Sequence, residues 1–65
     1  MTVVVNGSTR ELDTGCTVSQ LLAAEGAPER GIAVAVDGVV VPRVHWSQQI
    51  HEGAQVEIVT AVQGG

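Results

Sequence analysis

Lysine is absent from these 65 residues, and Arg10, Arg30 and Arg43 supply every fixed positive side chain against seven acids. The net charge of −4, with no basic cluster, excludes the footprint that nucleic-acid binders need to meet phosphate. An acidic surface suits basic protein partners instead. Phenylalanine and tyrosine are missing, and Trp46 is the only aromatic residue. The single cysteine, Cys16, excludes an internal disulfide and a cysteine-ligated iron–sulfur cluster, which takes four thiolates. That removes the plant-type ferredoxins, which are also small and acidic. His45 and His51 have five residues between them and no cysteine nearby, which is not the spacing of a zinc set. No run of roughly 18 apolar residues is present, so no membrane span is expected. The start of the chain lacks a basic segment followed by an apolar stretch, so no signal peptide is expected and the cytoplasm is the expected location.

What remains is apolar. Hydrophobic residues make up 45% of the chain, thirteen of them valine, and only 15% are charged, which is too apolar for a disordered segment. One domain over residues 1–65 is expected. A chain of this size buries only about 60% of the surface its unfolded form exposes, so few contacts are dispensable.

Thr2 to Asn6 is a β-branched run that reads as a strand. Asn6-Gly7 is a hairpin signal, and Ser8 to Leu12 is the polar return strand, expected at an edge. Thr17-Val18-Ser19-Gln20 fits a capping box, with Cys16 and Leu21 at the two positions of a hydrophobic staple. Val18, Leu21 and Leu22 recur at helical spacing. Gly26 and Pro28 end this helix, giving about Val18 to Glu25. Gly31 to Asp37 alternates Ile32, Val34 and Val36 with Ala33 and Ala35, a strand with its larger residues on one face. Asp37-Gly38 is a second hairpin turn. Val39 to Val41 returns and Pro42 stops it, but three valines in a row hide which of them face inward. Val44 to Ile50 reads as a short helical turn bearing Trp46, and Gln55 to Ala61 as the last strand. Strand, strand, helix and three strands, with the two most apolar strands first and last, is the order of a β-grasp (ubiquitin-like) fold. It is an α+β mixed five-stranded sheet with one main helix on one face and a flexible diglycine tail.

The chain stops at Gly64-Gly65, shortly after the last strand. Two glycines in succession make the thinnest tail a chain can have. Such a tail can thread a terminal carboxylate into a narrow active site. A carboxylate is a poor electrophile at neutral pH and must be activated, and adenylation by ATP is the usual route. No phosphate-binding loop is present here, so the chain is expected to be a substrate, with the activating enzyme a separate protein. Terminal glycines alone also describe a frayed end. The preceding β-grasp order favours the carrier.

The sequence resembles the ThiS-type sulfur carriers of thiamine biosynthesis over essentially its whole length. The matching residues are Asn6-Gly7, Thr17-Val18 with Leu21-Leu22, and Ala33-Val34-Ala35-Val36-Asp37 with Val41-Pro42-Arg43 and Trp46. Glu52-Gly53 and Val56-Glu57-Ile58-Val59 follow, leading to Ala61-Val62-Gln63-Gly64-Gly65. The proline-arginine-x-x-tryptophan piece and the terminal diglycine are specific together, not singly. The resemblance implies that a ThiF-type enzyme adenylates the Gly65 carboxylate, spending ATP, while no cofactor is bound to this chain. Cysteine-derived sulfur from a donor such as a desulfurase then forms a thiocarboxylate. Thiazole synthase (ThiG) takes that sulfur into the thiazole ring.

Gly65 is the expected sulfur-bearing residue, and Gly64 gives it access, with residues 62–65 as the reactive tail. Val56 and Ile58 are expected inward, Glu57 and Val59 outward. Ala33, Ala35, Val59 and Ala61 then form a low apolar docking face on the uncovered side of the sheet, with Val62 and Gln63 of the tail beside it. Cys16 is expected to pack rather than react, and Trp46 to plug the core beside Pro42. Arg43 pairs with an acid or meets a partner. Neighbouring readings are the small subunit of molybdopterin synthase, a protein modifier conjugated through Gly65, and a non-reactive β-grasp binding module.

Overall fold

The computed structural model describes residues 1–28 and 30–60. Strand β1 (Thr2–Val5) turns at Asn6-Gly7 into β2 (Ser8–Glu11). Helix α1 (Val18–Ala24) follows, then β3 (Ile32–Val36), β4 (Val39–Val40), a 3₁₀ turn (Arg43–His45) and β5 (Gln55–Thr60). The sheet order is β2-β1-β5-β3-β4, which places the last strand in the middle. β5 runs parallel to β1 and antiparallel to β3. This is the expected β-grasp arrangement, with the polar β2 at an edge and exposed along its length.

Both hairpins close through paired positive φ angles: 50° and 82° at Asn6-Gly7, 52° and 83° at Asp37-Gly38. That conformation matches the twist of the flanking strands, and a Cβ-bearing residue other than asparagine or aspartate resists it. The two-residue turns set the register, Val5 opposite Ser8 and Val36 opposite Val39. They also settle the valine run. Val41 is buried, whereas Val39 and Val40 are 67% and 66% exposed.

The helix is short because its start and stop are both specified. Thr17 is extended, and its hydroxyl accepts the Gln20 N–H while the Gln20 side chain accepts the Thr17 N–H. The Val18 and Ser19 N–H groups donate to the carbonyls of Gln48 and Trp46. The first turn therefore leaves none of these donors unpaired. At the other end Ala27 N–H bonds to the Leu22 carbonyl and Gly26 N–H to the Ala23 carbonyl, the pairing that stops a helix at a left-handed glycine. Val18, Leu21 and Leu22 face Val3, Val5, Val34 and Val56 of the sheet, with Ile50 and Ala54 closing the core. Burying Leu21 completely contributes about 1.5–3 kcal/mol.

The side chains of the two hairpin residues that precede glycine reach back onto β5. The β1–β5 ladder proceeds through Val4 N–H to the Ala54 carbonyl and Asn6 N–H to the Val56 carbonyl. The Asn6 amide then takes the next step. Its Oδ1 accepts the Ile58 N–H at 2.8 Å and its Nδ2 donates to the Ile58 carbonyl at 3.2 Å. Across the sheet, Asp37 N–H donates to the Gln55 carbonyl and Asp37 Oδ1 accepts the Gln55 N–H at 2.9 Å. The other Asp37 oxygen lies 2.6 Å from His51 Nε2, and His51 Nδ1 lies 2.9 Å from the Glu52 carbonyl. Both ring nitrogens thus face acceptors, an arrangement only the imidazolium satisfies fully. The Asp37 carboxylate, then the Glu52 carbonyl, raises the His51 pKa above its ordinary 6.5. The Gln55 N–H, then His51, lowers the Asp37 pKa below 3.8.

Two outcomes follow from these clamps. Asn6→Gly keeps the turn but removes both bonds to Ile58, so the Ile58 amide exchanges with deuterium faster than in the wild type; unchanged exchange contradicts the clamp. The His51–Asp37 contribution is present from about pH 3.8 to 6.5. It fades as pH rises through the raised His51 pKa, or falls through the lowered Asp37 pKa. Asp37→Asn retains the turn and the Gln55 bond, and brings the His51 titration seen by NMR back down toward 6.5.

Candidate functional site

The sequence places its reactive group on the segment that follows β5. Ala61, Val62, Gln63, Gly64 and Gly65 lie outside the described residues. The strand register shows where β5 ends. Thr60 sits opposite Ile32, at the end of the sheet where β3 begins.

The outer face beside this exit has the expected alternation. Val56 is buried and Ile58 half-buried toward α1, while Glu57 and Val59 are exposed. Ala33 pairs with Val59, and Ala35 with Glu57, so Ala33, Ala35 and Val59 share the face away from the helix. The short alanines leave Val59 standing clear, 57% exposed. Two features modify the expected patch. Glu57 sits in the row of Ala35, and Val40 joins that row from the far side because it pairs with Ala35. Val40 was legible in principle, since a two-residue Asp37-Gly38 turn forces this pairing.

The other singled-out residues disperse. Cys16 is half-buried against the core and its Sγ contacts the Thr17 carbonyl at 3.5 Å, which fits the staple role. Trp46 is half-buried, and its Nε1 donates to the Val41 carbonyl at 3.0 Å. The Arg43 guanidinium carbon lies 5.2 Å from the centre of the Trp46 ring, so among the described residues Arg43 meets a ring rather than an acid. His45 belongs to the 3₁₀ turn, whereas His51 serves the Asp37 clamp. Among the described residues no three of histidine, cysteine, aspartate and glutamate converge as metal ligands. No helix among them is long and apolar enough to cross a membrane. The side-chain roles of Asn6 and Asp37 gave no signal in sequence beyond their turns, because both act on a strand far along the chain.

Comparison with known proteins adds the remaining evidence. A model of the ThiS family matches residues 3–65. The sulfur carrier protein ThiS of Escherichia coli is 30% identical over 66 residues, covering all of both chains. A thiazole synthase of Paramagnetospirillum magneticum is 33% identical over 66 residues. That alignment takes in all of this chain but only 20% of the synthase, so the chain spans about a fifth of that relative's length. The crystal structure of a thiamine biosynthesis protein (ThiS) from Geobacter metallireducens superposes with a TM-score of 0.78 at 27% identity, over all of both chains. An NMR structure of a thiamine biosynthesis protein from the same organism gives 0.77 at 26% identity, over all of this chain and 88% of the other. With a family model running from the first strand through the final glycine, and a relative matched end to end, this chain belongs to the ThiS family.

Proposed function

We propose that this chain is a sulfur carrier of thiamine biosynthesis that works through the carboxylate of Gly65. The observation carrying this reading is that the ThiS match extends through Gly64-Gly65, whose sequence begins four residues after the end of a strand held on both sides. A ThiF-type enzyme joins the Gly65 carboxylate to the AMP of ATP, and pyrophosphate leaves. The outer sulfur of a cysteine-derived persulfide, carried by a desulfurase or related donor, attacks the acyl-adenylate and displaces AMP. A thiol reductant then cleaves the resulting acyl disulfide, is itself oxidised to a disulfide, and leaves the thiocarboxylate. Thiazole synthase takes the sulfur, and the carboxylate returns. Sulfur suits this transfer because it is the better nucleophile of the two atoms.

Division of labour follows from the composition. The chain supplies a fold and a tail, and acts as a cosubstrate, while ATP is bound by the activating partner. The thiazole synthase of Paramagnetospirillum magneticum carries a segment similar to this entire chain, which supports a thiazole synthase as the sulfur acceptor. Ala33, Ala35 and Val59 offer the activating enzyme an apolar face next to the tail, extended by Val40. Ala61, Val62 and Gln63 are proposed to continue that contact. A free cysteine and an ATP-dependent partner both suit the cytoplasm.

ATP–pyrophosphate exchange with the activating enzyme tests this reading. Deleting Gly65 abolishes exchange. Gly64→Leu folds normally but slows exchange by about 100-fold, because a misplaced carboxylate loses its attack geometry. Val59→Asp weakens carrier binding without unfolding the protein. Normal exchange after loss of Gly65 overturns the carrier reading.

A further inference from the structure

Arg43 differs from the other charged groups in how it is held. Among the described residues Arg10 pairs with Glu25, and His51 with Asp37, while Arg30 and Arg43 form no ion pair and only Arg43 lies over an aromatic ring. Its guanidinium is stationed over Trp46 at 5.2 Å, and the Trp46 ring is pinned by its bond to the Val41 carbonyl. Stacking of this kind orders a guanidinium without occupying its N–H donors. Arg43 and Trp46 also form one wall of an open groove of about 490 Å³, with Ser19, Leu22, Ala23 and Ala27 on the other side.

The strand register points the chain toward the Thr60 end of the sheet just before this arginine. Thr60, the last residue of β5, is level with Ile32. Val41 N–H bonds to the Val34 carbonyl, and the chain then runs toward the same end before turning at Pro42 into Arg43. The five residues from Ala61 to Gly65 span at most about 17 Å. An enzyme that takes Gly65 into its active site therefore has to cover this end of the molecule.

We infer that Arg43 docks onto a carboxylate of the adenylating enzyme, and so fixes the orientation in which the tail enters its active site. This rests on the carrier reading given above. The chain carries a net charge of −4, so an enzyme surface complementary to it as a whole would be basic. A cation pressed unpaired against a basic surface is penalised twice, by repulsion and by lost hydration. A single acid opposite Arg43 removes that penalty, and a guanidinium takes a carboxylate through two parallel bonds. The matched pair also rejects docking in other registers, where arginine meets like charge.

The test is steady-state ATP–pyrophosphate exchange by the activating enzyme, with the full chain as the varied substrate at low and high salt. Thermal melting of each variant checks folding. Arg43→Glu raises the KM for the carrier by about tenfold or more at low salt, with kcat within about twofold, because a charge is reversed at a docking contact rather than in the chemistry. Arg43→Gln raises KM about three- to fivefold, and stands in should the reversal variant fail to fold. Arg43→Lys falls between the wild type and Arg43→Gln, since it keeps the charge but loses the fork. Salt narrows the gap between the wild type and Arg43→Gln. A KM unchanged in both Arg43→Glu and Arg43→Gln, or a defect confined to kcat, overturns the inference while leaving the carrier reading standing. A wild-type chain that supports no exchange overturns both.

Discussion

Everything in this molecule depends on β5 pairing with β1 on one side and β3 on the other. The strand formed by the last described residues, Gln55 to Thr60, is the one that completes the sheet. Without it, two hairpins and a helix have no common core, because Val56 and Ile58 supply the surface that joins Val3 and Val5 to Val34. The side chains of Asn6 and Asp37 strengthen this pairing by occupying backbone groups of β5 that the neighbouring main chains do not reach. A central strand is the hardest place from which to detach a chain end. Thr60, the last described residue, is therefore held at a fixed point, level with Ile32.

That anchoring separates stability from chemistry. The packing, capping and hairpin closure of the described residues are complete by Thr60, and the reactive group of the proposed function follows in the sequence. Gly64-Gly65 has no Cβ, and glycine is the residue type most readily shaped by an enzyme's active site. Recognition then falls to surfaces that the fold presents near the anchor point. These are the outer face around Val59 and Ala33, and the stacked Arg43 and Trp46.

Much of this was legible in the sequence because it is local. Asn6-Gly7 and Asp37-Gly38 are turns for reasons contained within two residues, and the capping box lies within four. The alternation of Ile32 to Val36 reports its own burial through side-chain size. The less legible features are pairings between distant segments. Asn6 meets Ile58 across most of the chain, and Asp37 meets Gln55 and His51 only because β5 inserts beside β3. The run Val39-Val40-Val41 has no pattern to read, and only the turn before it decides that Val40 lies on the outer face. Arg43 and Trp46 are three residues apart, yet their stacking requires the 3₁₀ turn between them. The resemblance to the ThiS carriers marked both residues without saying what they do.

The most direct measurement is the intact mass of the protein isolated from its native cells under reducing, non-acidic conditions, followed by fragmentation of the carboxyl terminus. A sulfur carrier gives a population in which one oxygen is replaced by sulfur, with the replacement localised to Gly65. A mass that stays unmodified, even after incubation with the activating enzyme, ATP and a sulfur source, contradicts the carrier function.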